Sequence, residues 1–313
     1  MQYGYRQSRR RSSMNKLLRW NKMTIVPFDD RDGYIWFNGE MVNWRDAKSH
    51  VLSHGLHYAS LVFEGERAYD GKIFESRKHT ERLRMSAQLL DFNLPYSDDE
   101  IVEAKQALLT KSGLKDAYIR PFAWRGSEMM AVSAQNTTIH VAIACWEWPS
   151  MFDLDAKMKG ITLDISKWSR PSPESAPVHS KAAGLYMICT LSKHSAERKG
   201  FQDALMLDYR GYVAEATGAN IFFLMEDGKI HTPIADCFLN GITRKAVIEM
   251  VKDMGYEVVE RHIMPDELAQ AKECFLTGTA AEVTPVSQIG DHHMNPGSHC
   301  RNIVEHYAKL VRQ

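Results

Sequence analysis

The chain lacks several features that would narrow its function early. It carries no charge imbalance: 39 lysines and arginines offset 39 aspartates and glutamates. No global field therefore points to nucleic acid or to an acidic partner. It has no disulfide framework. Cys145, Cys189, Cys237, Cys274 and Cys300 are odd in number and widely spaced, and four of them sit within or beside apolar runs. That usage fits buried thiols in a reducing compartment, so a cytoplasmic location is expected. No apolar run is long enough to span a bilayer, and no membrane partner is expected. Acids are missing from the first 22 residues, where Arg6, Arg9, Arg10, Arg11, Lys16, Arg19 and Lys22 lie among serines. This start reads as a disordered tail, or as translation upstream of a true start at Met14 or Met23, in preference to an organelle transit segment. The tail is assigned to residues 1–32, since folded-looking sequence begins near Gly33.

What is present is enough apolar sequence, 44% of 313 residues, to bury the cores of about two domains. Residues 34–37 and 40–42 flank Asn38-Gly39, a hairpin signal, and Asp70-Gly71 gives a second. Asp46 is placed as the cap of a short turn. Residues 59–63 and 67–69 read as strands, and Thr80 to Phe92 reads as a helix with Leu83, Ala87 and Leu90 in one stripe. Ser97 to Glu100 is a capping box that opens a helix running to Ser112, stopped by Gly113. Residues 118–124 and 138–148 are strands, and the apolar run His140–Cys145 is central. Further strands are expected at 161–168, 203–208, 211–214, 220–224, 229–231, 257–262 and 274–276, with a helix over 243–254. The expected fold class is α/β (α+β), with a smaller domain over 33–150, a linker at 151–155 and a larger domain over 156–313. No internal repeat occurs.

One stretch organises the rest: Pro177-Val178-His179-Ser180-Lys181-Ala182-Ala183-Gly184-Leu185-Tyr186. Lys181 stands among small and apolar residues at the entry to a helix, with Glu174 as its one ordinary charged neighbour in sequence. Desolvation disfavours the charged form of an amine and leaves neutral amine able to attack a carbonyl. The plainer reading is a lysine that snorkels to water. Four other features shift the balance. Leu239-Asn240-Gly241-Ile242-Thr243 opens a helix whose first N–H groups can hold a phosphate, although most helix starts hold only water. Thr277-Gly278-Thr279-Ala280 offers a second anion nest, or a simple tight turn. Arg67 lies on a strand between apolar residues and needs an anionic partner, which could be Glu64 or Glu66 instead of a ligand. Glu215 is a lone acid among small residues, suited to a protonated ring nitrogen or to a nearby arginine. Lysine, anion nests, arginine and carboxylate are the parts of a pyridoxal 5′-phosphate site.

Eight ordered blocks then carry a resemblance over Gly33 to Val286: GYIWFNGEMV, SHGLHYASLVFEGERAYDG, HTERLRMSAQLL, AYIRPFAW, HSKAAGLY, GYVAEATGANIFF, LNGITRKAVIE and LTGTAAEVTPV. The chain resembles the branched-chain amino-acid aminotransferases of the class IV (fold-type IV) pyridoxal-phosphate enzymes. The resemblance implies a two-domain fold with the cofactor between the domains. It implies that Lys181 anchors the cofactor and shuttles a proton, that Glu215 meets the ring nitrogen and that Tyr186 stands near the ring oxygen. It implies a phosphate site of Arg67, Gly241, Ile242, Thr243, Gly278 and Thr279, with Leu239 packed on the ring. The Thr279 and Ala280 amides with the Tyr118 hydroxyl would hold the substrate carboxylate, and Arg120 would receive the distal carboxylate of glutamate. Tyr58 and Phe63 would line the aliphatic pocket, joined by Met130. Transamination of leucine, isoleucine and valine with 2-oxoglutarate follows, in a homodimer or dimer-based hexamer whose sites borrow loops from a partner.

Three departures stand beside that resemblance. ATGAN follows Glu215 where the family often has a second acid, Arg125 stands where an apolar residue is expected, and residues 149–155 offer no clear pocket aromatic. A D-amino-acid aminotransferase and an aminodeoxychorismate lyase are rivals within the fold; a binding module without activity is disfavoured by the intact Lys181 and Glu215. No metal is expected: His50, His54 and His57 have helical spacing but no Glu or Cys completes a ligand set. His292, His293, His299 and Cys300 read as a solvated loop.

Overall fold

A computed structural model describes residues 26–149 and 153–313. Asn38 and Gly39 both take left-handed backbone (φ +50° and +100°), and this turn closes β1 (Tyr34–Phe37) onto β2 (Glu40–Asn43). A short helix α1 (His54–Tyr58) leads into β3 (Leu61–Phe63), β4 (Glu66–Tyr69) and β5 (Lys72–Ile73). Helices α2 (Ser76–Leu89) and α3 (Asp98–Ser112) follow, then the long strands β6 (Ala117–Arg125) and β7 (Ile139–Glu147). The strands form one antiparallel sheet in the order β2-β1-β7-β6-β4-β5, with β3 also on β6. Leu83 and Ala87 of α2 and Ile101 and Leu108 of α3 bury against Ile119, Val141 and Ile143 of the sheet. The capping box on α3 is formed: Glu100 N donates to Ser97 Oγ (3.3 Å) and Ser97 N to Glu100 Oε2 (2.7 Å), and Gly113 ends the helix at φ +67°.

The second half builds α4 (Leu154–Lys157), β8 (Ile161–Ile165), α5 (Tyr186–Arg198), β9 (Asp203–Leu207), β10 (Val213–Ala216), β11 (Asn220–Met225) and β12 (Ile230–Pro233). It continues with α6 (Ile242–Asp253), β13 (Val258–Arg261), β14 (Ala271–Gly278), β15 (Glu282–Ile289), β16 (His292–His293) and α7 (Ser298–Leu310). The sheet order is β10-β9-β8-β15-β14-β11-β12-β13, with β16 on β15. Strand β11 is buried along its whole length. Phe222 and Leu224 pack toward α6 and α7, while Ile221 and Phe223 meet Leu205 and Leu276 on the other face. That alternation is the period of two that a central strand requires.

Several expectations change. Residues 26–32 are not a loose tail: Trp44 Nε1 donates to the Phe28 carbonyl (2.6 Å), Phe28 meets Trp146 edge-on, and Arg45 pairs with Asp30 and Asp32. The rest of the basic segment, residues 1–25, lies outside the described residues, as do residues 150–152 of the expected linker. Leu154 and Asp155 of that linker belong to α4. Helix α2 starts at Ser76, four residues before Thr80, and ends at Leu89. The stretch around His299 and Cys300 is not a solvated loop. Cys300, Ile303, Val304 and Tyr307 form the buried stripe of α7, and Glu273 of β14 accepts from Cys300 N (2.7 Å) at its first turn.

The two sheets meet along the segment that carries Lys181. Phe63 N donates to the Lys181 carbonyl (3.1 Å), Lys181 N to Ser86 Oγ (3.0 Å) and Ser180 Oγ to the Ser86 carbonyl (2.9 Å). Val62 and Ala182 form an isolated bridge. Lys181 is therefore strapped to β3 and α2 while its helix, α5, packs on the second sheet.

Candidate active site

Lys181 sits on the wall of a cavity with about 590 Å³ of open space. The chain turns through a single 3-10 turn at Ala183–Leu185 and enters α5 at Tyr186. That geometry brings residue 186 back over residue 181, and Lys181 Nζ donates to Tyr186 Oη at 2.8 Å. The small residues between them leave room for this contact. The charged company that the local sequence withheld comes through the fold: Arg82, Arg170 and Glu215 share the same wall.

Glu215 ends β10. Arg170 Nε stands 3.4 Å from its Oε1, and Asn220 Nδ2 donates to its Oε2 at 3.1 Å. Burial pushes this carboxyl up to about 7, against the opposing pull of Arg170 and Lys181. Cys189, also on the wall, is pushed up to about 11 by burial, so it remains a thiol.

The opposite wall is an anion cradle. Helix α6 begins after Gly241 with no side chain capping it, so the amides of its first turn lack intrahelical acceptors and face the cavity with the positive end of the dipole. Gly278 and Thr279 at the end of β14 lie beside them. Arg82, on α2, completes the cradle. Its Nε and Nη2 grip Glu64 at 2.6 and 2.8 Å, and His79 Nδ1 holds the same carboxylate at 2.7 Å. Burial alone would raise the Glu64 carboxyl, but Arg82 and His79 hold it well below the usual range.

Nine expected residues therefore line one cavity: Lys181, Tyr186, Glu215, Leu239, Gly241, Ile242, Thr243, Gly278 and Thr279. Three more cluster beside Lys181. Phe63 lies 4.8 Å from the Tyr186 ring and 5.1 Å from Lys181 Nζ, Arg120 stacks over Phe63 at 4.6 Å, and Arg120 Nη2 donates to Tyr118 Oη at 3.2 Å. Four are elsewhere. Arg67 is not on the cavity wall: β4 aims it at Glu282 (3.6 Å), the Trp148 carbonyl (3.1 Å) and the Tyr69 ring, while Glu64 and Glu66 are taken by Arg82 and Lys105. Tyr58 and Met130 are about half exposed and do not line the cavity, and His54 ties Tyr58 to the residue after Met130. The His54 ring stacks on Tyr58 (4.6 Å), and its Nε2 bonds the Ala131 carbonyl (2.8 Å). Ala280 is exposed in the turn between β14 and β15.

Arg82, Arg170 and Asn220 are not singled out by sequence, and Thr277 enters only as the first residue of the expected second anion nest. Arg82 stands inside a family-like block, HTERLRMSAQLL, and Asn220 closes ATGAN, so both are in view without a role. His50, His54 and His57 share no face: only the last two lie on α1, and His54 spends both ring nitrogens on Ser60 and Ala131. Among the described residues Asp208, Asp236 and Cys237 converge as metal-type ligands, but the Arg210 guanidinium already bridges both carboxylates at 2.6–2.9 Å.

The cavity has unused capacity of a specific kind. Thr277 Oγ1 is buried on its wall with no hydrogen-bond partner, and a Cβ added at Gly218, on the same wall, would meet nothing within 4 Å. A ligand that is at once a carbonyl compound, a phosphate and a basic aromatic ring would use every wall. Pyridoxal 5′-phosphate is such a ligand, and by class the protein is a pyridoxal-phosphate-dependent enzyme.

Comparison with known proteins refines the class. The profile of the family described as "Amino-transferase class IV" matches residues 61–289, and the chain belongs to that family. A probable branched-chain-amino-acid aminotransferase of Rickettsia conorii is 42% identical over 93% of this chain and 100% of its own length. The branched-chain-amino-acid aminotransferase of Pseudomonas aeruginosa is 43% identical over 86% of this chain and 88% of its own. Among solved structures, the T.th. branched-chain amino acid aminotransferase with pyridoxamine 5′-phosphate superposes with a TM-score of 0.87 at 38% identity, over 90% of this chain and 96% of that one. The same T.th. protein has been solved with N-(5′-phosphopyridoxyl)-L-glutamate and with 4-methylvaleric acid.

Proposed function

We propose that the chain transfers the amino group of L-leucine, L-isoleucine and L-valine to 2-oxoglutarate, releasing branched-chain 2-oxo acids and L-glutamate. One observation carries this reading: the Phe63 ring contacts both Lys181 Nζ (5.1 Å) and the Arg120 guanidinium (4.6 Å). An apolar ring next to the reacting amine suits an aliphatic side chain. A cation just beyond it suits the distal carboxylate of glutamate. The solved relative holding a glutamate adduct and, separately, a branched aliphatic acid supports one site serving both.

Bound pyridoxal 5′-phosphate supplies the carbonyl that receives the amino group and the ring that draws electrons from Cα. Lys181 Nζ takes the proton from the substrate Cα and later returns one, and Tyr186 Oη, 2.8 Å away, orients that amine. Glu215 holds the ring nitrogen, where burial favours a shared proton. The phosphate would fall to the amides of Ile242 and Thr243, to the Thr279 hydroxyl and to Arg82, which takes the role that the resemblance gives to Arg67. The amides of Thr279 and Ala280 and the Tyr118 hydroxyl bind the substrate carboxylate.

Tyr58 and Met130 reach an active site through a second copy of the chain. Val51, Leu52, Leu56 and Val132, close to them in sequence, are exposed as well, the last at 86%. An apolar face of this kind is covered in an oligomer. A homodimer, alone or in a hexamer, is the assembly we assign. The five free, buried cysteines support a cytoplasmic location.

The test pairs L-leucine and D-alanine, each with 2-oxoglutarate, and adds Lys181→Ala. Leucine should turn over at least about a hundredfold faster than D-alanine by kcat/KM. Lys181→Ala should abolish turnover. A preference for D-alanine overturns the reading.

A further inference from the structure

Asn220 occupies a position that the proposed chemistry has not yet used. It begins β11, is buried, and lies on the cavity wall between the acid end and the phosphate end. Its amide makes three hydrogen bonds to three different site elements. Nδ2 donates to Glu215 Oε2 (3.1 Å) and to the Leu239 carbonyl (3.0 Å), and Oδ1 accepts from Gly241 N (3.2 Å). Gly241 is the residue before the first turn of α6, and a Cβ there would stand 2.2 Å from Asn220 Oδ1. The glycine is thus required by the asparagine, not by its own backbone, whose φ is −58°.

We infer that Asn220 is a positioning residue that couples the Glu215 carboxylate to the start of α6, so that the ring-nitrogen and phosphate ends of the site are held as one unit. The inference rests on the functional reading above and deepens it. Two features support the coupling. An asparagine amide has a fixed relation between donor and acceptor, so rotating it to follow Glu215 moves Oδ1 away from Gly241. The amide also consumes the Gly241 N–H, which leaves those of Ile242 and Thr243 for an anion. A hydrogen-bonded amide in a buried site is costly to leave half satisfied, which keeps the three bonds together.

The groups of charge or titration facing Glu215 are Arg170 from the loop after β8, Lys181, and Cys189 from α5. None of them bonds Gly241, so a signal at Gly241 that follows Glu215 passes through Asn220.

The experiment follows the Gly241 amide resonance between pH 5 and 9 in the cofactor-free full chain, alongside cofactor uptake by visible absorbance. In the parent the resonance should titrate, and Glu215→Gln should flatten it. Asn220→Asp keeps the acceptor for Gly241 but sets a second carboxylate against Glu215, so the midpoint should rise by about one unit or more. Asn220→Ala should lose the titration altogether. Both variants should bind pyridoxal 5′-phosphate about tenfold more weakly or worse, for one lost charge-assisted bond. An unchanged midpoint in Asn220→Asp, or a titration that persists in Asn220→Ala, overturns the coupling; the Asp variant decides alone if the Ala variant does not fold. A parent that takes up no cofactor while Gly241 still reports Glu215 sinks the functional reading and leaves the coupling standing.

Discussion

At the scale of single residues, the phosphate role that the resemblance gives to Arg67 passes, in the proposed site, to Arg82 on the cavity wall, while Arg67 meets Glu282 and the Trp148 carbonyl. Arg82 keeps its fork fixed by gripping Glu64 through Nε and Nη2 on the wall of the cavity. Arg82→Lys retains the charge and loses the fork. We expect it to weaken pyridoxal 5′-phosphate binding about tenfold, measured by absorbance titration, while Arg67→Lys stays within about twofold. The reverse order would return the phosphate role to Arg67. Glu215 offers a pH test. Its folded value, about 7, lies above the ordinary 4.5, so the folded cofactor-free chain binds a proton that the unfolded chain releases between those limits. Stability therefore falls as pH rises from 4.5 to 7. Glu215→Gln removes that loss: it should match the parent near pH 4.5 and exceed it at pH 8 by on the order of 3 kcal/mol. Thermal melts at the two pH values check this, and a pH-independent difference would rule it out. Glu215 is in view from sequence as one acid among small residues, with a ring nitrogen and a nearby arginine both open as its partner. Arg170 is not, because a Pro-rich loop gives no hint of what its arginine meets.

At the scale of elements, the junction of β3 and β4 is set by a close approach. A Cβ at Gly65 would lie 2.0 Å from Tyr118 Oη, and the Tyr118 ring is wedged against Trp146 (5.0 Å) and Trp148 (5.4 Å), so it cannot swing clear. Gly65→Ala should cost about 1–3 kcal/mol by overpacking and raise KM for both substrates as the Arg120–Tyr118 contact breaks. Adding Tyr118→Phe should recover part of the stability and none of the KM; full recovery of both would show that the hydroxyl plays no part in binding. The elements themselves are unevenly legible. Helix α3 can be read to the residue because its capping box and Gly113 are local signals. Helix α7 escapes sequence reading although Cys300, Ile303, Val304 and Tyr307 recur at helical spacing, since three nearby histidines mask the period with a run of polar residues. Strand β15 escapes it because Pro285 and polar residues interrupt its run; pairing on both sides, with β14 and β8, holds it in place.

For the whole molecule, the cavity exists because Lys181 is tied to the first sheet while its helix belongs to the second. The face carrying Tyr58, Met130 and Val132 remains uncovered in a single chain. Val132→Asp places a charge at its most exposed apolar position without touching the cavity. It should convert the assembly to monomers and reduce kcat/KM about tenfold or more at low concentration. Light scattering on parent and variant decides; a monomeric parent with full activity would remove the shared site.

The sequence by itself determined most of the strands and the better-capped helices, because turns, caps and apolar period act within a few residues, and it singled out Lys181, which the fold places on the cavity wall. Through a resemblance carried by ordered blocks it also named nine of the residues that line the cavity. Tertiary structure alone decided which arginine lines the cavity, what holds Glu215, and that Tyr58 and Met130 stand half exposed off the wall of their own cavity. Those are matters of direction across long separations, and a side chain's direction depends on what packs against it once the two sheets meet.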